Sequence, residues 1–150
     1  MKIELTLNGR KQGFDIPAGE YLLDTLRKSG LVSVRRGCDS TSCGVCTVLL
    51  DGNPVPSCSV LSAQADGHSV TTVEGIVKEA EIIAGYFGKE GADQCGFCNP
   101  ALALVVYSLK KRHAHPSEEE IDRYLVGNLC RCSGYRGQHR AVKAYLEDRP

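Results

Sequence analysis

A chain of 150 residues, 42% of them hydrophobic, makes one domain or two small ones, and each half alone is small enough to gain from a metal staple. Its 18 basic and 18 acidic side chains cancel, so no cationic excess exists to neutralise phosphates and nucleic-acid binding has no support. The longest apolar run, Ala101 to Tyr107, is too short to span a bilayer, and Met1-Lys2-Ile3-Glu4-Leu5 lacks a signal peptide's apolar core. A cytoplasmic setting is the default expectation, and there thiols stay reduced.

Residues 2–8 alternate, with Ile3, Leu5 and Leu7 apolar, as a half-buried strand does. Asn8-Gly9 is a strong two-residue hairpin turn, and Phe14 and Ile16 mark the returning strand. Tyr21 to Gly30 reads as a short helix with Leu22, Leu23 and Leu26 on one face and Gly30 as its C′ residue. Thr47–Leu50 is another strand, turned by Asp51-Gly52, and Val70–Val73 a further one. Hairpin, helix, cysteine loop and more strands predict a small α+β ferredoxin-type domain over residues 1–73.

From there the period becomes helical. Ile76, Val77, Ala80, Ile83, Ala84 and Phe87 form one stripe. Leu102, Val105, Val106 and Leu109 form a second, after Asn99 as cap and Pro100 at the first helical position. Ser117-x-x-Glu120 is a capping box ahead of Ile121, Tyr124 and Leu125, and Val142, Tyr145 and Leu146 give a shorter fourth stripe. Four amphipathic segments with short links predict a helical bundle over residues 74–150. Tyr107, Tyr124 and Tyr145 fall on or beside the stripes and read as core.

The chemistry lies in eight cysteines, two groups of four with unlike spacing. Cys38-x4-Cys43-x2-Cys46 followed by Cys58 is the plant-type [2Fe-2S] ligand pattern. Three thiolates so close in sequence converge on a diiron rhomb only if the backbone wraps around it, and Gly37, Ser40, Ser42 and Gly44 permit that wrap. A zinc ribbon or scattered structural thiols are the competing readings, but zinc prefers paired knuckles of similar spacing. The second group, Cys95-x2-Cys98 with Cys130-x-Cys132, suits either zinc or a cluster on spacing alone.

The strings around that second group carry a resemblance. Gln94-Cys95-Gly96-Phe97-Cys98-Asn99-Pro100 and Asn128-Leu129-Cys130-Arg131-Cys132-Ser133-Gly134-Tyr135 resemble the motifs Q-C-G-F-C-T-P-G and N-L-C-R-C-T-G-Y almost letter for letter. Those belong to the molybdenum hydroxylase family, which includes xanthine dehydrogenase and aldehyde oxidoreductase. The loop Gly37–Cys46 is similar to the family's G-C-x4-C-G-A-C, with a flavour like the carbon-monoxide dehydrogenase and N-heterocycle oxidoreductase small subunits.

That resemblance implies a β-grasp ferredoxin-like [2Fe-2S] domain joined to a four-helix [2Fe-2S]-binding domain. It implies a small subunit serving a large molybdopterin subunit and a medium FAD subunit, in a dimer of heterotrimers. By the family's pattern Cys95, Cys98, Cys130 and Cys132 hold the cluster nearer molybdenum, and Cys38, Cys43, Cys46 and Cys58 the one nearer flavin. Gln94 and Cys132 match positions that touch the pterin across the subunit boundary. The large subunit would hydroxylate an N-heterocycle, purine or aldehyde, and electrons would leave singly through this chain. Departures from the pattern are Asn99 for Thr, Ala101 for Gly, Val45 for Ala and Ser133 for Thr. Arg136-Gly137-Gln138-His139 is more polar than the usual apolar continuation, which implies a loosely docked tail.

Other residues invite blander readings. His113 and His115, beside Lys110, Lys111 and Arg112, suit a solvated helix C-terminus better than a metal, and His68 and His139 are no better candidates. Glu118-Glu119-Glu120 is a first-turn charge run. Arg35 and Arg36 face a partner, tune the first cluster, or are merely solvated. No nucleophile–base pair or phosphate loop is visible, so the expected work is one-electron relay within an oxidoreductase. The rival of another class is a free-standing two-cluster ferredoxin. A purely structural zinc module is a second. Because Met1 opens the first strand, a separate chain is expected rather than a segment of a fused dehydrogenase.

Overall fold

The computed structural model describes residues 1–148. Strands β1 (Lys2–Leu7) and β2 (Arg10–Asp15) form an antiparallel hairpin with Ile3 opposite Phe14. Its turn residues Asn8 and Gly9 take φ of 50° and 81°, the backbone that follows the natural twist of the strands. The alternation in β1 points Ile3, Leu5 and Leu7 inward. Helix α1 (Leu22–Lys28) lays the fully buried Leu22, Leu23 and Leu26 over that face, each burial contributing about 1.5–3 kcal/mol.

Strands β3 (Thr47–Leu50) and β4 (Asn53–Pro56) make a second hairpin through Asp51-Gly52. Strand β5 (Ser69–Thr71) lies between β1 and β3, parallel to the first and antiparallel to the second. The sheet order is β2-β1-β5-β3-β4. A mixed five-stranded sheet gripping one helix is the expected ferredoxin-like half. β5 stops short of the expected Val73 because the Asn8 side chain takes over the pairing at Thr72. Its Oδ1 accepts the Thr72 N–H at 2.8 Å, and its Nδ2 donates to Thr72 Oγ1 at 2.9 Å.

The remainder is helical: α2 (Val77–Lys89), α3 (Asn99–Arg112), α4 (Glu118–Leu125) and α5 (Arg136–Glu147). Their common core holds Ile83, Phe87, Leu102, Val106, Leu109, Ile121, Val142 and Tyr145. α3 is the central element. One of its faces enters that core, while Leu104 packs with Leu49 and Ile76 and so joins bundle to sheet. Ser108 Oγ adds a hydrogen bond to the Gly52 carbonyl at 3.0 Å across the same junction.

Two expectations need correction. Asn99 does not cap α3: Cys98 is the cap residue, already in helical backbone, with Asn99 first and Pro100 second in the helix. Gly96, at φ 71°, winds the preceding loop tightly enough to start the helix one residue early. Proline, lacking an N–H, is tolerated there, and the freed Asn99 amide donates to Asp93 at 2.8 Å. Nor is the tail loose. Gly137, Gln138, Ala141, Val142, Tyr145 and Leu146 are buried, and the Tyr145 ring meets Tyr86 edge-on at 5.7 Å. Its polar residues lie on the outer face, where His139 pairs with Glu118 and Asp122 and Arg140 with Glu90. Polarity there marks amphipathic packing, not weak packing.

Candidate metal centre

The loop from Gly37 to Cys46 turns back on itself, with Thr41 and Gly44 at positive φ. It brings the Cys43 and Cys38 thiols side by side. The Cys43 thiol and the backbone N–H groups of Cys43, Ser40 and Ser42 hold Cys38 down to about 6, so its thiolate is favoured at neutral pH. Burial pushes the Cys43 thiol up. Ser57, at the end of β4, bonds the Cys46 carbonyl through its hydroxyl at 2.7 Å, which delivers Cys58 to Cys46. Their Sγ atoms lie 3.4 Å apart. Burial, then the Cys46 thiol, push Cys58 up to about 11.

The second group is assembled from two loops, one entering α3 and one linking α4 to α5. Cys95 pairs with Cys132, and Cys98 with Cys130. The outer pair, Cys95 and Cys132, is exposed, whereas Cys98 is buried and Cys130 partly so. Burial, then the Cys130 thiol, send Cys98 up to about 11. Burial also works upward on Cys130, but the Ser133 hydroxyl and N–H, 3.2 and 3.4 Å from its Sγ, prevail and lower it. The Phe97 N–H, then Cys132, lower Cys95, and the same contact raises Cys132. Tyr135 Oη accepts the Cys130 N–H at 3.0 Å and fixes the turn of the Cys130–Cys132 loop.

The two groups meet. Cys43, Val45 and Cys98 form one buried apolar cluster, with Cys38 and Cys130 packed against it. The Leu129 N–H donates to the Cys43 carbonyl at 2.8 Å, and Asn128 Nδ2 to the Gly44 carbonyl at 2.9 Å. Gly44 must be glycine: at φ 68°, a Cβ there would sit 1.9 Å from the Gly127 carbonyl oxygen. Arg35 donates to the Gly96 carbonyl at 2.6 Å and stacks 5.1 Å from the Phe97 ring centre. The thiols therefore follow one another through the molecule, from the exposed Cys95 and Cys132, through Cys98 and Cys130 clustered with Cys38 and Cys43, to Cys46 and Cys58 in contact.

Paired thiols are what a diiron rhomb requires, two thiolates on each iron, with N–H and O–H donors aimed at the sulfurs. The donor set fits two [2Fe-2S] groups.

Comparison with known proteins agrees. Residues 5–72 match the 2Fe-2S iron-sulfur cluster binding domain, and residues 72–143 the [2Fe-2S] binding domain. The nicotinate dehydrogenase small FeS subunit of Eubacterium barkeri is 39% identical over 148 residues, covering 97% of this chain and 94% of that one. The chain belongs to the small iron–sulfur subunits of the molybdenum hydroxylases. The xanthine dehydrogenase iron-sulfur-binding subunit of Escherichia coli O157:H7 is 41% identical over 138 residues, with 89% of this chain and 87% of that one covered. Among solved structures, a chain of quinoline 2-oxidoreductase from Pseudomonas putida 86 superposes with a TM-score of 0.88 at 36% identity, covering 97% of this chain and 92% of that one.

Of the residues singled out in the sequence, Gln94 is exposed beside the outer thiol pair. The histidines stay apart from both thiol groups. His113 caps α3 and meets Tyr124 edge-on, His68 pairs with Asp51, and His139 clamps α4 to α5. Neither arginine is merely solvated, since Arg36 pairs with Asp24 and Arg35 straps the two cysteine loops together. Sequence reasoning missed Gln138, Asn128 as a buried strap, and the Ser133 bonds. Asn128 and Ser133 were within reach, lying in the strings that carry the resemblance. No described helix is long and apolar enough to cross a membrane.

Proposed function

We propose that Cys38, Cys43, Cys46 and Cys58 hold one [2Fe-2S] cluster and Cys95, Cys98, Cys130 and Cys132 the other, on domains spanning residues 1–73 and 74–150, the last two residues of which lie outside the described chain. When bound, the clusters supply one-electron relay between the molybdopterin of a large subunit and the FAD of a medium one. The chain itself orients thiolates in pairs, supplies hydrogen bonds to sulfur, and keeps water from the inner pairs. The carrying observation is the serial order of the four pairs, from the exposed Cys95/Cys132 to Cys46/Cys58 in the ferredoxin-like half.

The exposed end favours a docking role. Phe97, Leu129 and Tyr135 stand 45%, 51% and 40% exposed near Cys95, Cys132 and Gln94, an apolar rim suited to a protein partner rather than to water. Gln94 and Cys132 there would face the pterin. The assembly is a dimer of heterotrimers in the cytoplasm, and its substrate an N-heterocycle, purine or aldehyde, in keeping with relatives named for nicotinate, xanthine and nicotine. Anaerobic purification tests this. The chain should copurify with larger subunits carrying molybdenum and flavin, and should itself contain iron and acid-labile sulfide in equal amounts. A colourless, iron-free monomer purified anaerobically would refute both cluster binding and relay.

A further inference from the structure

We infer that Gln138 sets the reduction potential of the second cluster by donating an amide hydrogen bond to the Cys98 sulfur. The inference rests on the proposal that Cys98 is a cluster ligand.

Gln138 is a buried amide, only 2% exposed. Burying such a group without a partner is costly, so what it faces is informative. Its Nε2 lies 3.7 Å from Cys98 Sγ, a normal separation for a sulfur acceptor. The approach is built into the backbone. Gln138 occupies the first turn of α5, and its neighbour Gly137 lets that turn press on the segment leading to Cys95. A Cβ at Gly137 would come within 3.0 Å of the Glu90 carbonyl oxygen and 3.4 Å of the Ala92 Cβ. A glutamine reaching a thiol through a glycine-permitted contact is a specific arrangement, not a stray polar residue.

The consequence follows from charge. Reduction adds one electron and no proton to the thiolate-bound group, and the extra negative charge spreads onto its sulfurs. A fixed donor aimed at one sulfur stabilises the reduced state more than the oxidised one, and the scarcity of water around Cys98 strengthens the bond. Gln138 is thus a positioning and tuning residue, not a ligand.

The test is potentiometric titration of the iron-loaded, full-length chain with its copurifying subunits, followed by low-temperature EPR. Gln138→Leu should leave iron and sulfide content unchanged and lower the midpoint of one of two reduced signals. The expected loss is about tenfold in the reduction equilibrium, which is 59 mV for a one-electron couple. The other signal should not move. If Gln138→Leu loads less iron, Gln138→Met, unbranched and without a donor, is read in the same way. Unchanged midpoints, an equal shift of both signals, or loss of iron in both variants would each overturn the inference. A wild-type chain without iron would instead defeat the ligand assignment beneath it.

Discussion

The first thiol group is gathered by one loop and one hairpin, whereas the second depends on helices distant in sequence. Cys38, Cys43 and Cys46 share the loop before β3, and Cys58 returns on the hairpin that β3 begins. Cys95 and Cys98 reach Cys130 and Cys132 only because α3, α4 and α5 pack on a common core. A locally wrapped site can survive damage elsewhere in the chain. A site made by tertiary packing reports on that packing. Where the two meet, at Gly44, Asn128 and Arg35, each depends on the other.

The largest effect should come from removing a thiolate on one side only. Cys43→Ser should abolish one of two reduced [2Fe-2S] EPR signals and spare the other, while Cys132→Ser should do the reverse. Loss of both signals in Cys43→Ser would mean that the sites are not independent, and loss of neither that Cys43 is not a ligand. Gly44→Ala strikes the junction instead. The left-handed backbone alone costs a side chain roughly 1–2 kcal/mol, and the clash with the Gly127 carbonyl adds to that. Both signals should broaden or fall together, and a selective loss would count against a shared seam. Leu102→Ala should then separate the two modes of assembly. It opens a cavity in the bundle core at about 2–5 kcal/mol, so iron should leave the second site while the first keeps its signal.

The same contrast explains what could be read from the residues alone. The ferredoxin-like half was legible because its signals are local: alternation in β1, Asn8-Gly9 and Asp51-Gly52 at the turns, and the plant-type cysteine spacing. The second group's spacing left zinc open, and only the surrounding strings decided between readings. The polar run Arg136–His139 is deceptive because polarity alone carries no helical phase. On the helix, Gln138 points inward and His139 outward to its acidic partners. Asn99 misled because a preference for the cap position cannot show how Gly96 winds the loop before it. The Arg35–Phe97 strap joins residues far apart in the chain, and neither one's neighbours hint at the other.

That strap supports the mildest of these tests and sharpens the comparison. Arg35 contributes a hydrogen bond worth about 0.5–1.5 kcal/mol and a ring contact of about 0.5–1 kcal/mol, both partly exposed. Arg35→Ala should therefore lower the melting temperature by only a few degrees and leave both clusters loaded. Its effect belongs on the distance and orientation between the two cysteine loops, read as a change in the magnetic coupling of the fully reduced protein. Arg35→Lys keeps the charge but not the planar fork that both stacks on Phe97 and reaches the Gly96 carbonyl. If the strap works by geometry, the lysine variant should resemble alanine. If charge alone matters, it should resemble wild type, and the two loops are then held by Gly44 and Asn128 without help from Arg35.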